Sequence, residues 1–76
     1  MSSIVESALA MLERPVAITP TAAVIGYDRR LKSPVVTFGG RLFTVDEVQR
    51  ADFDSGEPRF TDTQYEQIDS AVEHLT

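Results

Sequence analysis

The chain has 76 residues, 42% of them hydrophobic, with no cysteine, one histidine and a formal net charge of −5. It reads as one domain over residues 1–76, of a size that buries only roughly 60% of the surface its unfolded chain exposes. The composition excludes disulfide stapling, a thiolate metal cage and a multi-histidine zinc site, so stability must come from a compact core, which pairing into a homodimer would extend.

Ser3 to Arg14 is expected to form an N-terminal helix. Ser3 and Glu6 have the spacing of a capping box, and Pro15 ends the run. Ile4, Val5, Ala8, Leu9, Met11 and Leu12 would give that helix a wide apolar face, covered either by the monomer core or by another subunit. Residues 15–21, with Pro15 and Pro20, read as extended or irregular chain.

Ala22 to Tyr27 is a candidate strand whose alanines also permit helix, and Asp28 to Ser33 is a basic turn. A firmer strand runs from Pro34 to Phe38. Gly39-Gly40 separates it from Arg41-Leu42-Phe43-Thr44, which is the signature of a two-residue hairpin turn. Thr44 and Glu47 repeat the capping-box spacing, so a short helix from Val45 to Ala51 follows, with Val45 and Val48 facing inward. Continuation of the strand through Val48 is the competing reading.

Ala51 to Arg59 contains Asp, Ser, Gly and Pro and reads as a loop. The final helix then starts from a Thr61-x-x-Gln64 capping box, with Phe60 and Tyr65 at the two positions of a hydrophobic staple. Tyr65, Ile68, Val72 and Leu75 follow helical spacing and should pack on the sheet. The expected fold is therefore α+β: an N-terminal helix, a three-stranded antiparallel sheet, a short helix and an amphipathic C-terminal helix packed on the sheet.

Charge is unevenly spread along this order. Residues 1–41 carry five basic against three acidic side chains, and residues 42–76 carry two against nine; the balances of +2 and −7 sum to −5. Such asymmetry points to a binding surface more than to a reaction. In the last helix Asp62, Glu66, Asp69 and Glu73 recur at spacings of four, three and four, which places them on one side, flanking the apolar stripe. They span about 16 Å of helix axis at 1.5 Å per residue. One DNA strand places about five phosphates in that length, so four carboxylates approach the line density of one strand.

Local stability gives no reason for this series, because each like-charge pair costs about 0.2–0.5 kcal/mol and the helix has no Lys or Arg to compensate. Three explanations compete. The stripe is a solvated face, or it pairs with the basic turn of Arg29, Arg30 and Lys32, or it is a surface that competes with nucleic acid for a basic groove. Asp52, Asp54 and Glu57, together with Asp46 and Glu47, would widen the acidic surface if the fold brought them alongside.

In format the chain resembles the small acidic inhibitors that phages encode, including anti-CRISPR proteins that act as DNA mimics. The resemblance rests on small size, the lack of cysteine and the series Asp62, Glu66, Asp69 and Glu73 with the acidic loop before it, and it covers the C-terminal half. It implies a protein that binds a CRISPR surveillance complex, or another nucleic-acid enzyme, and blocks target DNA. The basic turn departs from a uniformly acidic mimic.

Chemistry does not assemble around the remaining residues. His74, the one imidazole, lies two residues from the C-terminus, a poor place to hold an acid–base group in register. Asp52-Phe53-Asp54-Ser55-Gly56-Glu57 resembles the start of a calcium loop, but its glycine falls at position five and Thr63 replaces the closing glutamate. Gly39-Gly40 lacks the spacing and the following lysine of a phosphate loop.

The expectation is thus a non-enzymatic protein with no cofactor and no metal. Asp62, Glu66, Asp69 and Glu73, with Asp52, Asp54 and Glu57, would engage a larger protein or ribonucleoprotein that has a basic nucleic-acid-binding groove. Its negative charge disfavours direct binding to nucleic acid or anionic lipid. The apolar stretches are broken by Glu6, Glu13, Pro20 or Gly26, too short to span a membrane, and residues 1–14 lack a signal-peptide pattern, so a cytoplasmic setting is expected. The alternative is a structural or assembly protein that docks or oligomerises through the apolar N-terminal helix.

Overall fold

A computed structural model describes residues 9–76. Four strands, β1 (Leu9–Thr19), β2 (Ala22–Asp28), β3 (Ser33–Phe38) and β4 (Arg41–Thr44), form an antiparallel meander in chain order. Helices α1 (Val45–Ser55) and α2 (Asp62–Val72) follow, and a 3-10 turn at Glu73–Leu75 continues from α2. The fold is α+β, as expected, but its sheet has four strands rather than three, and its first described helix comes after the sheet.

The expected N-terminal helix is corrected by strand β1. Leu9 to Arg14 is extended and pairs with β2, with Leu9 opposite Asp28, Ala10 opposite Tyr27 and Met11 opposite Gly26. The other residues of that expected helix, Ser3 to Ala8, lie outside the described residues, and with them the Ser3–Glu6 capping pattern. Pro15, which looked like a helix stop, sits instead in an irregular part of an edge strand. The register slips between Met11 and Val16, so Pro15 owes no ladder hydrogen bond there. Prolines at sheet edges and bulges are tolerated for that reason.

The middle of the chain follows its sequence signals. Gly39 and Gly40 have φ of 53° and 83°, and Phe38 pairs with Arg41, so the two glycines make the whole turn. A side chain at either position would have to adopt the left-handed region that a primed hairpin turn demands. Ala22 to Asp28 is strand, not helix. In the basic turn Oδ1 of Asp28 accepts the amides of Arg30 at 2.9 Å and Leu31 at 3.1 Å, an Asx arrangement that replaces the lost ladder bonds.

Both helices begin as their capping boxes require. The Thr44 hydroxyl accepts the Glu47 amide while the Glu47 carboxylate accepts the Thr44 amide; Thr61 and Gln64 do the same for α2. Four orphan amide donors are satisfied by these two exchanges. Helix α1 runs four residues beyond the expected Ala51, so Asp52 and Asp54 belong to its last turn rather than to a loop.

The core lies between one sheet face and the helices. Val24 and Val36, paired across β2 and β3, meet Ile68 and Val72 of α2 and Val45 and Val48 of α1, all of them buried. Leu12 and Ile18 of β1 pack at its margin. Each such aliphatic side chain contributes about 1.5–3 kcal/mol when fully buried.

Gly26 is required by contact rather than by turn geometry. A Cβ placed there would collide with the carbonyl oxygen of Ala10 on the neighbouring strand. Gly26→Ala should therefore destabilise the fold by about 1–3 kcal/mol, read as a lower urea midpoint at unchanged slope. An unchanged midpoint would show that β1 does not approach β2 as described.

Candidate functional site

The acidic helix is positioned from beneath. Complete burial of Ile68, with Val72 at 1% exposure, fixes the rotation of α2 about its axis. Asp62, Glu66, Asp69 and Glu73 are consequently all exposed. The structure places Glu73 in the 3-10 turn that extends the helix, with right-handed helical backbone angles. Among the described residues the ion pairs are Arg50–Asp46 at 3.2 Å and Arg59–Asp52 at 3.9 Å, so none of the four carboxylates of the stripe has a cationic partner.

The basic turn does not neutralise the stripe. Arg29 Nε donates to the carbonyl of Leu75 at 3.4 Å, so the turn meets the C-terminal end of the last helical segment and not its carboxylates. A cation near terminal carbonyls is favourable, because those groups lack helical partners and carry the negative end of the dipole. Arg30 and Lys32 are exposed.

The acidic residues before α2 divide into two kinds. Asp54 and Glu57 are exposed, at the end of α1 and in the loop after it. Asp52 is not available to a partner in the same way, for its side chain is only 11% exposed. Its Oδ2 accepts the Tyr65 hydroxyl at 2.9 Å and the Arg59 amide at 3.1 Å, linking α1, the loop and α2 through one carboxylate. Oδ1 is buried without a hydrogen bond, and Arg59 Nε at 3.9 Å faces it beyond hydrogen-bond range.

This arrangement acts back on Tyr65. Burial first, then the hydrogen bond and the negative charge of Asp52, push the phenol up to about 12. The Tyr65 ring also stands edge-on to Phe60, with centroids 5.4 Å apart, which is the hydrophobic staple expected at the start of α2. Phe60 continues through Phe38 at 5.3 Å to Phe43 at 6.0 Å from Phe38, and the Arg59 guanidinium lies 5.6 Å from the Phe38 ring centre. Sequence reading found the Phe60–Tyr65 pair but not its continuation, because Phe38 and Phe43 come from β3 and β4.

Two depressions border these elements. A shallow groove of about 600 Å³ separates Val16–Ile18 of β1 from Thr63, Glu66 and Ser70 of α2. A smaller, more enclosed depression of about 280 Å³ lies against Phe38, Phe43 and Val48. Among the described residues no group of three or more His, Asp or Glu side chains is placed to hold a metal ion, and no helix is long and apolar enough to cross a membrane. No protein-family model, curated protein or solved structure matches this chain.

The Asp52 link makes a direct prediction. Because the Tyr65 phenol is raised in the folded state, its contribution to stability is intact below about pH 10 and is lost as pH rises toward 12. In Asp52→Asn, ultraviolet titration should show the high-pH phenol ionising earlier, but still above its ordinary value since burial, the leading cause, remains. The same variant should lose about 1–3 kcal/mol of stability at neutral pH. An unaltered phenol titration would show that the two side chains do not meet.

Proposed function

We propose that this protein is a non-enzymatic inhibitor that acts by occupancy. Helix α2 and the 3-10 turn that extends it present Asp62, Glu66, Asp69 and Glu73 to a basic nucleic-acid-binding site on a larger protein or ribonucleoprotein and exclude the nucleic acid from it. The observation that carries this reading is the exposure of all four carboxylates without a cationic partner among the described residues. A helix that accumulates like charges and leaves them unpaired is not optimised for its own stability.

Asp54 and Glu57 extend the negative surface from the end of α1, while Asp52 serves by holding Tyr65 and the start of α2. The field of such a surface would speed association with a cationic groove and make it sensitive to salt. Inhibition of a CRISPR surveillance complex in the cytoplasm of a phage-infected cell is the setting that suits this mode of action. The acidic stripe spans one helix face, so it would cover part of a nucleic-acid channel rather than imitate a whole duplex.

Changing Asp62, Asp69 to Asn and Glu66, Glu73 to Gln takes the formal charge from −5 to −1, four charges fewer. The fold should survive with a stability change under about 1 kcal/mol, since three like-charge pairs are relieved while the N-terminal Asp62 is lost. Pull-down from host lysate, read by mass spectrometry, should recover a nucleic-acid-binding complex with the wild type and not with the variant. Salt or added DNA should release it. Capture of the same complex by both proteins at low salt would sink the proposal.

A further inference from the structure

We infer that the sheet face turned away from the helices is a homodimer interface, on which a second copy of this chain packs its own sheet face. Residues paired across neighbouring strands share a face, and two such rows cross all four strands on the outer side. One is Met11, Gly26, Val35 and Thr44; the other is Ala17, Ala23, Thr37 and Leu42. Val24 and Val36, which lie between these rows, point into the core instead.

No residue in either outer row carries a charge. An antiparallel sheet face that stays in water normally alternates to polar side chains. Here Met11 is 55% and Leu42 57% exposed, and Leu31, at 63%, joins Leu9 and Leu42 around a depression that Val35 also lines. The two carboxylates bordering that depression are held by the protein itself. Asp28 accepts the amides of Arg30 and Leu31, and Glu47 accepts from Thr44. A contiguous apolar surface of this kind marks an interface.

Two properties of the face select a second copy as its occupant. It has no charge to match with a charged partner, and a face apolar throughout is its own complement about a two-fold axis, as an isologous contact requires. Its size also fits. Six residues of β3 at about 3.3 Å each, and four strands at about 4.8 Å, give about 400 Å² of flat sheet per copy. Side-chain relief raises the accessible area above that, so two copies bury about 1,000 Å² together, where specific interfaces begin. An axis running across the strands also sets the two basic turns at opposite ends of the sandwich. They are then about 20 Å apart, well beyond the screening length of about 8 Å.

The pairing does not rest on the acidic stripe. It covers the sheets and leaves both helical layers outermost, so each copy keeps Asp62, Glu66, Asp69 and Glu73 on solvent.

Sedimentation equilibrium of the full chain from about 1 μM to about 1 mM is the test, because an interface at the lower size limit dissociates in that range. The mass should climb from one chain toward two. Met11→Lys and Leu42→Lys each place a charge in the face and should raise the dissociation constant at least about tenfold, with the urea midpoint of the dilute monomer unchanged. Phe53→Lys, at a side chain 88% exposed on α1, should leave the dimer as it was. A chain that stays monomeric over the whole range would overturn the inference and give the face to residues 1–8 or to another protein. So would a dimer that tolerates both lysines on the sheet, since its contact must then lie elsewhere.

Discussion

The direction of the acidic stripe depends on how α2 is seated. Ile68 and Val72 are buried against Val24 and Val36 of the two central strands, and a helix anchored at positions four apart cannot rotate without exposing one of them. Replacing a residue such as Ile68 by Ala would cost about 2–5 kcal/mol, several times what the like-charge repulsions along the helix cost in total. The core therefore outweighs the stripe and dictates its direction. Four carboxylates that local energetics would separate are held on solvent because the apolar face beside them has no alternative place to go.

A second constraint fixes where that helix begins. The Thr61 capping box, the Phe60–Tyr65 staple and the Asp52–Tyr65 hydrogen bond converge on the first turn of α2. Asp52 is the unusual member, a carboxylate with one oxygen satisfied twice and the other buried with no hydrogen bond. Its charge is balanced at a distance by Arg59, whose position over Phe38 brings the aromatic row into the same assembly. Thus a polar link and an apolar one reinforce each other across α1, the loop and α2.

What was legible in the sequence was local. The Gly39-Gly40 turn, the two capping boxes, the staple and the inward set Val45, Val48, Ile68 and Val72 are all written within a few residues of one another, and each stands as read. The first strand was not legible, because Leu9, Met11 and Leu12 fit a helical stripe as well as an edge strand, and Pro15 supplied a plausible stop. Only the pairing of Leu9–Met11 with Gly26–Asp28, some seventeen residues away, decides for strand. Asp52 shows the same limit at a single position. Its sequence neighbours make it one more surface acid, and what sets it apart is its burial and the hydrogen bond it accepts from Tyr65, thirteen residues on. Arg59 and the Phe38–Phe43 continuation of the aromatic row were missed for the same reason, since no short spacing records a contact between β3 and a loop before α2.

The proposed inhibition requires that the acidic face and nucleic acid compete for one site. The most direct test takes the complex recovered from lysate, binds it to fluorescently labelled target DNA, and titrates in this protein while following anisotropy. Competition for one site would displace the DNA to completion, with a midpoint that rises linearly with the DNA present. A ternary complex, in which the protein binds and the anisotropy of the DNA stays high, would contradict it.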